Sequence, residues 1–565
     1  MNFTSIKKIA FLCGINLLIF FLILSTDDYF SNLPFVVRDI IGFGNNRIQE
    51  KIFLRSYENN FEPTQTLFDV HKVNLRIQVF PESKFIIGRV HFKIRVLKSS
   101  DRIVFNLLDN LTVENVFTEG KESIFFHLDN KIEILFEEKL SQREILEIEI
   151  NYRGEPRDIG LAGFDFVEGT QRFYSLSQPN FAQSWWPCKD DPSDKFLADI
   201  EIIVPNKTVG VSNGKLVDIV QFAPNWLSYK YEVSYPISSY SLSVSGADYK
   251  EFENSFISIS GKNIPLRYFV SESKLNNAKK DFEVIPQMMT AFENLFGEYP
   301  FQNEHYGIVE FDWKFGAMEH QTMTSIGSNF ITGLKLYDRL LAHELAHEWF
   351  GNSVTPFNWK EIWLNEGFAT YASYIYLEQT GKKINLNSRQ LFYGPVYDPN
   401  GFLFGNTVYE KGAWILHMLR RKVGDENFFK SLRKYYEANK YSNSSTTSLK
   451  DIFESTCRVD LTKFFNQWIY SSVEKPFYTV SYSTSKRNND YICTINIEQT
   501  QPRLIFENDI EIRLILENKM NLKHILVNNT KKQIVSLIID SPVMDLVVDP
   551  ENDLLKEVIY RKFSD

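Results

Sequence analysis

Apolar and polar residues alternate along much of the chain between residues 67 and 252. Leu146, Ile148 and Ile150 are separated by single acidic residues, which is the period of two expected for a strand with one buried face. Runs of similar character, with turn residues between them, occur at 73–80, 86–97, 103–108, 124–136 and 200–204. Such a series predicts a large antiparallel β domain over residues 67–252.

The pattern becomes helical beyond this region. Residues 275–296 are helix-like, and helical patterns continue to about residue 470. Strands return from Tyr478, in the runs 478–482, 491–497, 510–516, 523–527 and 534–539. We therefore predict a multidomain α+β protein, with a mostly helical domain at 253–474 and a C-terminal β-sandwich at 475–565.

The first 28 residues indicate where the protein is located. Lys7 and Lys8 precede an apolar segment, Ile9–Leu24, which is slightly short for a spanning helix of about 20 residues. Positive charge ahead of such a segment favours export of the chain beyond it. Since Ile23-Leu24-Ser25 is a poor cleavage site, we expect a membrane anchor, with a cleaved signal peptide as the alternative. Residues 29–66 are interpreted as a connector, and the main body is expected outside the cytoplasm.

Composition narrows the functional classes only slightly. A chain of 565 residues is too long for one core, and three or four domains are expected at about 150 residues each. The formal charge of -9, without a long cluster of lysine and arginine, argues against nucleic-acid binding. The four cysteines contain no C-x-x-C pair, so they indicate neither a disulfide scaffold nor a thiolate metal site.

One stretch carries the clearest chemistry. In His343-Glu344-x-x-His347, the two imidazoles lie one turn apart on the same face if the segment is a helix. Glu344 lies beside them, and Glu366 follows within a second helix-like run. Two histidines and one glutamate suit Zn²⁺ and leave one position for water, although Mn²⁺ or Co²⁺ can occupy such sites in vitro. We therefore predict one zinc ion per chain, with His343, His347 and Glu366 as its ligands.

These residues resemble the M1 family of zinc aminopeptidases. The family pattern is H-E-x-x-H, eighteen residues and a glutamate, and the same gap separates His347 from Glu366. The sequence Gly-Ala-Met-Glu-His is similar to the family's G-x-M-E-N exopeptidase motif. The segments that are similar to family motifs occur in the expected order, at Pro187–Pro192, Gly316–His320, Tyr409–Ala413 and Phe465–Trp468.

The resemblance implies a thermolysin-like catalytic domain and specific roles for three residues. Glu344 would take a proton from a zinc-bound water and later deliver it to the leaving amine. The Tyr409 hydroxyl would stabilise the oxyanion that forms at the scissile carbonyl. Glu319 would bind the free α-ammonium group of a peptide, which makes the enzyme an aminopeptidase instead of an endopeptidase.

Further residues are expected to bind the substrate. Gly316, Ala317 and Met318 belong to the exopeptidase motif, where small residues let the substrate backbone approach. His320 replaces the usual asparagine and can still form hydrogen bonds through either ring nitrogen. Gln178 stands where many members have a second amine-binding glutamate. We expect a weaker amine anchor, which raises KM more than it lowers kcat; a purely structural Gln178 is the alternative.

These observations predict a zinc-dependent aminopeptidase that acts on peptides with a free N-terminus. The alternatives are a catalytically inactive relative that only binds peptides, and a hydrolase of a non-peptide substrate such as an epoxide. The intact ligand set, Glu344 and Tyr409 argue against inactivity, and no residue favours the epoxide. Too little sequence follows the last strands for the further helical domain of many relatives, so an open cleft is expected. The preferred N-terminal side chain and the oligomeric state stay open.

Overall fold

The computed structural model describes residues 62–157, 163–399 and 403–561. The predicted anchor or signal segment at 1–28, and most of the connector at 29–66, lie outside these ranges. Among the helices that the described ranges contain, none has the length and apolar character needed to cross a membrane. The location of the protein therefore stays a prediction.

The N-terminal region of the described chain is built from strands. They are β1 (Phe68–Phe80), β2 (Phe85–Val96), β3 (Ser100–Asn106), β4 (Leu111–Thr118), β5 (Lys121–Glu122), β6 (Ile124–Leu128), β7 (Lys131–Leu140), β8 (Ile145–Gly154), β9 (Gly163–Phe166), β10 (Phe173–Leu176), β11 (Lys195–Pro205), β12 (Val209–Ser212), β13 (Lys215–Ala223), β14 (Trp226–Ser238) and β15 (Val244–Ala247). The largest sheet has eight strands in the order β13-β14-β11-β1-β2-β8-β4-β5, and smaller sheets have the orders β12-β15-β10-β9 and β3-β7-β6.

The alternating pattern explains how this region packs. In β8 the side chains of Leu146, Ile148 and Ile150 are buried, while the intervening residues are exposed or half-buried. One pairing differs from the predicted antiparallel arrangement, because β1 and β11 are parallel, with Leu75 opposite Ile200. Periodicity along one strand carries no information about the direction of its neighbour.

A second region contains a smaller sheet and the helices of the described chain. Its strands are β16 (Lys250–Ile257), β17 (Asn263–Val270), β18 (Tyr306–Phe311), β19 (Ala317–Met318), β20 (Met323–Gly327), β21 (Val354–Pro356) and β22 (Ser442–Ser444). Its helices are α1 (Leu275–Asp281), α2 (Ile285–Phe296), α3 (Asp338–Ala346), α4 (Trp363–Gln379), α5 (Gly412–Val423), α6 (Asp425–Asn439), α7 (Thr446–Cys457) and α8 (Thr462–Phe465).

The sheet of this region has the order β16-β17-β18-β20-β19, and its first strand starts close to the predicted domain boundary at 252. The helix-like run at 275–296 is divided into α1 and α2 by a 3₁₀ turn at Phe282–Val284. Pro286 lies in the first turn of α2, where a residue without an N–H is tolerated.

Strands return at the C-terminal end of the described chain. They are β23 (Phe477–Arg487), β24 (Asp490–Gln499), β25 (Asn508–Leu516), β26 (Asn521–Asn528), β27 (Lys532–Ile539), β28 (Val543–Val548) and β29 (Glu557–Tyr560). They form two sheets, β27-β24-β23-β29 and β26-β25-β28. Buried residues of both sheets, such as Ile495 and Ile512, share one hydrophobic core with the helices. The predicted multidomain α+β fold is confirmed.

Candidate active site

The predicted metal ligands lie at the ends of two neighbouring helices. His343 is in the last turn of α3, and His347 is the residue that caps the end of this helix. Glu366 lies in the first turn of α4, where the positive end of the helix dipole favours a carboxylate. The three residues are only 5%, 1% and 2% exposed. The structure therefore brings the predicted ligands together in a buried position.

The distances between the ligand atoms fit a single zinc ion. The Nε2 atoms of His343 and His347 are 3.1 Å apart, and Oε2 of Glu366 lies 3.4 Å and 3.5 Å from them. Zinc binds such ligands at about 2.0–2.2 Å, so neighbouring ligand atoms of a tetrahedral site are about 3.3 Å apart. The three atoms match this separation, which leaves the fourth position for water or substrate.

Contacts behind the histidines orient their rings. His347 Nδ1 lies 3.0 Å from the Phe350 carbonyl oxygen, and His343 Nδ1 lies 3.4 Å from Thr370 Oγ1. A proton on each Nδ1 leaves the Nε2 lone pair directed at the metal. Gly351 is required at this point, since its φ is +136° and an added Cβ would lie 3.1 Å from His347 Nδ1.

Carboxylate charge surrounds His347. Burial lowers its pKa, but the charges of Glu319 and Glu366 outweigh burial and raise the pKa of His347 to about 10. At His343 burial is the largest effect, and the pKa of this histidine is lowered to about 4. Burial opposes ionisation of Glu366, yet hydrogen bonds from both histidines lower the pKa of this carboxyl. The site therefore carries excess negative charge, which a divalent cation would neutralise.

The predicted base and the predicted amine anchor lie beside the metal ligands. One carboxylate oxygen of Glu319, one of Glu344 and a ring nitrogen of His347 lie within 4.8 Å of one another. Glu344 is on α3 between the two histidines, and Glu319 directly follows β19. Both side chains are buried. Their catalytic roles stay predictions, but their positions agree with those roles.

Gln178 reaches this cluster from the N-terminal β region. Its Nε2 donates a hydrogen bond to Glu319 Oε1 at 2.7 Å, across a sequence separation of 141 residues. The Glu319 carbonyl accepts a second hydrogen bond from Asn352 Nδ2 at 2.9 Å. Burial raises the pKa of the Glu319 carboxyl. Gln178 therefore supplies a hydrogen-bond donor, but no charge, beside the predicted amine anchor.

Tyr409 lies next to the first metal ligand. It belongs to a π-helical turn, Thr407–Lys411, which continues directly into α5. Its ring stacks on the His343 ring, with centroids 5.9 Å apart and planes inclined by 20°. Irregular helical turns of this kind are frequent at functional sites. The structure thus brings Tyr409 to the site, as the sequence predicts.

The remaining residues of the exopeptidase motif lie in different environments. Ala317 and Met318 form β19, and the Met318 side chain is only 2% exposed in the hydrophobic core. Gly316 has a φ of +150°, which favours glycine. The fully buried His320 ring places Nδ1 2.8 Å from Ser325 Oγ, and burial lowers the pKa of His320 to about 3. The substrate contacts predicted for these residues stay predictions.

The sequence did not indicate two residues of the β region that hold the chain after the metal motif. Lys195 Nζ donates to the carbonyl oxygens of Asn352 and Ser353 at 2.7 Å and 3.1 Å. Tyr240 donates its hydroxyl proton to the Gly351 carbonyl at 3.2 Å. Only the position of Lys195, just after the Pro187–Pro192 segment, could have suggested a link to the site.

Sequence models of protein families match both regions that contribute to this site, the N-terminal β region and the helical region. The peptidase family M1 domain matches residues 280–398 and 395–468, and the peptidase M1 N-terminal domain matches residues 66–241. Together these ranges cover more than half of the chain. The protein belongs to peptidase family M1. Family membership and the donor set confirm zinc as the predicted cofactor. The assignment of the individual ligands stays a prediction.

Individual relatives of this M1 family member are distant. Endoplasmic reticulum aminopeptidase 1 of Mus musculus is 27% identical over 331 residues, which is 52% of this chain and 35% of the mouse protein. The chain thus spans about a third of that relative's length. Probable aminopeptidase 1 of Sulfurisphaera tokodaii is 24% identical, over 84% of this chain and 61% of its own.

Solved structures show the same fold. An M1 zinc metallopeptidase of Deinococcus radiodurans, bound to a Tyr-Ser-Ala substrate, has a TM-score of 0.64 at 23% identity, covering 72% of this chain and 95% of its own. Legionella pneumophila aminopeptidase A, in complex with aspartic acid, has a TM-score of 0.76 at 17% identity, covering 88% of this chain and 60% of its own. At these identities the comparison concerns the fold alone.

Proposed function

We propose that this M1 peptidase is a zinc-dependent aminopeptidase that removes single residues from the free N-terminus of peptides. The observation that carries the proposal is the buried Glu319 carboxylate beside Glu344 and His347, within 4.8 Å. A carboxylate at this position can pair with an α-ammonium group through a charge-assisted hydrogen bond. The anchor then limits cleavage to the peptide bond that lies between the ammonium group and the metal.

Each residue near the metal has a defined task in this reaction. When bound, zinc lowers the pKa of water and polarises a carbonyl oxygen. Glu344 takes the proton of the attacking water and transfers it to the leaving amine. The Tyr409 hydroxyl, held beside His343, donates a hydrogen bond to the oxyanion of the tetrahedral intermediate. Glu319 fixes the α-ammonium group, and the Gln178 amide keeps the Glu319 carboxylate oriented through its hydrogen bond.

The comparisons support peptides as the substrate class. Two curated relatives are named as aminopeptidases, and one structure of the same fold holds a Tyr-Ser-Ala substrate. Burial of the ligands and of both carboxylates also agrees with chemistry in a site of low polarity, where charged donors act strongly.

The proposal is tested by assaying the full chain on a panel of aminoacyl-coumarin substrates. The same assay uses matched peptides with free and acetylated N-termini. We expect release of the first residue from free peptides only, because acetylation removes the ammonium charge that Glu319 binds. Removal of the metal with 1,10-phenanthroline should abolish turnover, and added zinc should restore it.

A matched variant separates zinc binding from the proton transfer assigned to Glu344. Glu344→Gln keeps the size of the side chain but cannot accept the proton, so kcat should fall by about 10²–10⁴-fold with zinc still bound at one ion per chain. Cleavage of acetylated peptides at the same rate as free ones, or turnover that persists without metal, would exclude an aminopeptidase of this type.

A further inference from the structure

Three mutually bonded side chains lie behind the active site, of which Tyr374 and Glu410 are buried and Arg339 is half-buried. Arg339 Nη2 and Glu410 Oε1 form an ion pair at 2.9 Å, and their side chains are only 11% and 4% exposed. Arg339 Nη1 donates to the Tyr374 hydroxyl at 3.0 Å. The Tyr374 hydroxyl donates to Glu410 Oε2 at 3.2 Å. Both carboxylate oxygens of Glu410 therefore accept a hydrogen bond within the group, which we call the Arg339 triad.

Each member of the triad lies on an element that carries a residue of the active site. Arg339 is one helical turn before His343 on α3. Tyr374 is about two turns after Glu366 on α4. Glu410 directly follows Tyr409 in the π-helical turn. The triad thus joins the three elements that supply a metal ligand or the predicted oxyanion donor.

The π-helical turn has a particular need for such support. Its hydrogen-bond register differs from that of an α-helix, and such turns occur as single units inside longer helices. The direction of the Tyr409 side chain therefore depends on how the turn is held against its neighbours. The triad ties the next residue, Glu410, to α3 through a charge-assisted contact of 2.9 Å with Arg339. A longer hydrogen bond of 3.2 Å with Tyr374 ties it to α4.

Stability alone is a weak reason for burying this ion pair. Removing two charges from water costs much of what their attraction returns, so apolar residues of similar volume often stabilise a core equally well. A guanidinium group offers fixed directions for its donors, which gives the pair geometric precision. Arg339 also lies over the Tyr374 ring, with its Cζ 4.5 Å from the centroid, so the orientation of the guanidinium is itself restricted.

We propose that Arg339, Tyr374 and Glu410 act as positioning residues that hold the Tyr409 hydroxyl at the distance from the metal ligands required for oxyanion stabilisation. This inference rests on the proposed aminopeptidase function. None of the three touches the reacting atoms; they act through the π-helical turn. Loss of the triad lets Tyr409 move relative to His343, and a displacement of about 1 Å is enough to cost about 10²-fold in rate.

The test is a double-mutant cycle between Glu410→Gln and Tyr409→Phe in the full chain. Glu410→Gln keeps the volume and one acceptor but removes the charge, so kcat should fall by about 10- to 10²-fold while KM changes by less than about threefold. In the Tyr409→Phe background the same change should alter kcat by less than about twofold, because the hydroxyl it positions is already absent. Zinc content should stay at one ion per chain in all four proteins.

A milder variant and a matched control distinguish the proposed effect from a loss of activity through misfolding. Tyr374→Phe removes a single hydroxyl and should lower kcat in the same direction by a smaller factor. The control is Glu378→Gln, which breaks the ion pair of Glu378 with Arg420 at 2.8 Å toward the C-terminal end of α4. This change should leave kcat unaltered.

A readout without turnover separates this inference from the proposed function. An aminophosphinic pseudopeptide mimics the tetrahedral oxyanion, and calorimetry measures its Kd. Glu410→Gln should raise this Kd in the wild-type background. The same change should leave the Kd unaltered in the Tyr409→Phe background. The proposed role of the triad would be overturned by additive effects of the two changes on both kcat and Kd. Zinc loss that parallels the loss of activity would overturn it as well. A zinc-loaded wild type without peptidase activity would contradict the proposed function, while the Kd cycle would still report on the triad.

Discussion

At the scale of single residues, the contact between Gln178 and Glu319 bears on the predicted strength of the amine anchor. The amide donates to Glu319 Oε1 at 2.7 Å, so it satisfies one oxygen of the carboxylate without adding charge. Burial raises the pKa of the Glu319 carboxyl, and Gln178 adds no negative charge that could attract an ammonium group. The weaker anchor predicted from the sequence therefore has a structural basis, although the effect itself stays a prediction.

Gln178→Glu should strengthen the anchor. A second carboxylate beside Glu319 repels it in the free enzyme, and an ammonium group relieves this repulsion when it binds. We expect KM for small aminoacyl substrates to fall by about tenfold, equivalent to about 1.4 kcal/mol, with kcat within about twofold of wild type. Steady-state kinetics on one aminoacyl-coumarin measures both constants.

An inhibitor pair provides the control for Gln178→Glu. An amino-acid hydroxamate should bind more tightly to the variant, whereas its analogue without the amine should bind no better than to wild type. Unchanged KM, or an equal gain for both inhibitors, would mean that Gln178 is purely structural.

At the scale of elements, two glycines set how closely α4 and the π-helical turn of Tyr409 approach each other. Gly367 follows Glu366 on α4, and Gly412 starts α5 directly after the π-helical turn. A Cβ added to Gly412 would lie 2.8 Å from the Gly367 Cα, and one added to Gly367 would lie 3.0 Å from the Gly412 Cα. Space, not backbone conformation, requires glycine at these two positions.

Gly412→Ala should push the Tyr409 turn away from α4. Overpacking of this kind costs about 1–3 kcal/mol of stability, and the displaced hydroxyl should lower kcat by more than about tenfold. Thermal unfolding, zinc content and kcat, measured on the same preparation, check the three effects. We expect zinc to stay bound, because the displaced turn carries Tyr409 but none of the predicted metal ligands.

Gly120→Ala is the matched control for this change. Gly120 has a φ of +72° and nothing within 4 Å of an added Cβ, so the substitution strains a turn by about 1–2 kcal/mol without crowding any neighbour. Its Tm should fall while kcat is retained. If Gly412→Ala behaves in the same way, the close approach of the two elements has no catalytic importance.

At the scale of the whole molecule, the N-terminal β region and the helical region form the site jointly. Gln178, Lys195 and Tyr240 all reach across this junction. A buried carboxyl group lies at the same junction, where Glu304 Oε1 accepts a hydrogen bond from the Ser234 backbone N–H at 2.6 Å. Burial raises the pKa of Glu304 to about 8, so the folded protein keeps this carboxyl protonated at neutral pH.

The pH dependence of stability should therefore contain a contribution from Glu304. Because its pKa is raised from 4.5 to about 8 in the folded state, the folded protein binds more protons than the unfolded chain between these values. The contribution is fully present below the unfolded pKa and is lost as pH rises through the folded pKa. We expect Tm to fall between pH 5 and 8 less steeply in Glu304→Gln than in wild type.

An exposed glutamate is the control for this measurement. Glu283 forms an ion pair with Lys335, and its side chain is 61% exposed. Surface pairs of this kind contribute little to stability, so Glu283→Gln should leave the slope of Tm against pH unchanged. Equal slopes for wild type and Glu304→Gln would show that Glu304 ionises freely in the folded protein.

Features that depend on neighbours along the chain could be predicted from the sequence. The alternation around Leu146 follows from the two faces of a strand, and His343 and His347 share a face because a helix turns once in 3.6 residues. The zinc ligands and Glu344 could be predicted because their motif has a characteristic spacing, whereas Tyr409 was predicted from the family resemblance of its segment. The family resemblance then extended these local patterns to Glu319.

Which distant elements meet became clear from the three-dimensional structure alone. Three features join residues far apart in sequence. They are the parallel pairing of β1 with β11, the contacts of Lys195 and Tyr240 with the chain after the metal motif, and the Arg339 triad. Side-chain periodicity records which face of an element is buried, but it does not record what packs against that face. Those partners follow from the packing of whole sheets and helices, which brings the charges and the close glycine contacts of this site together.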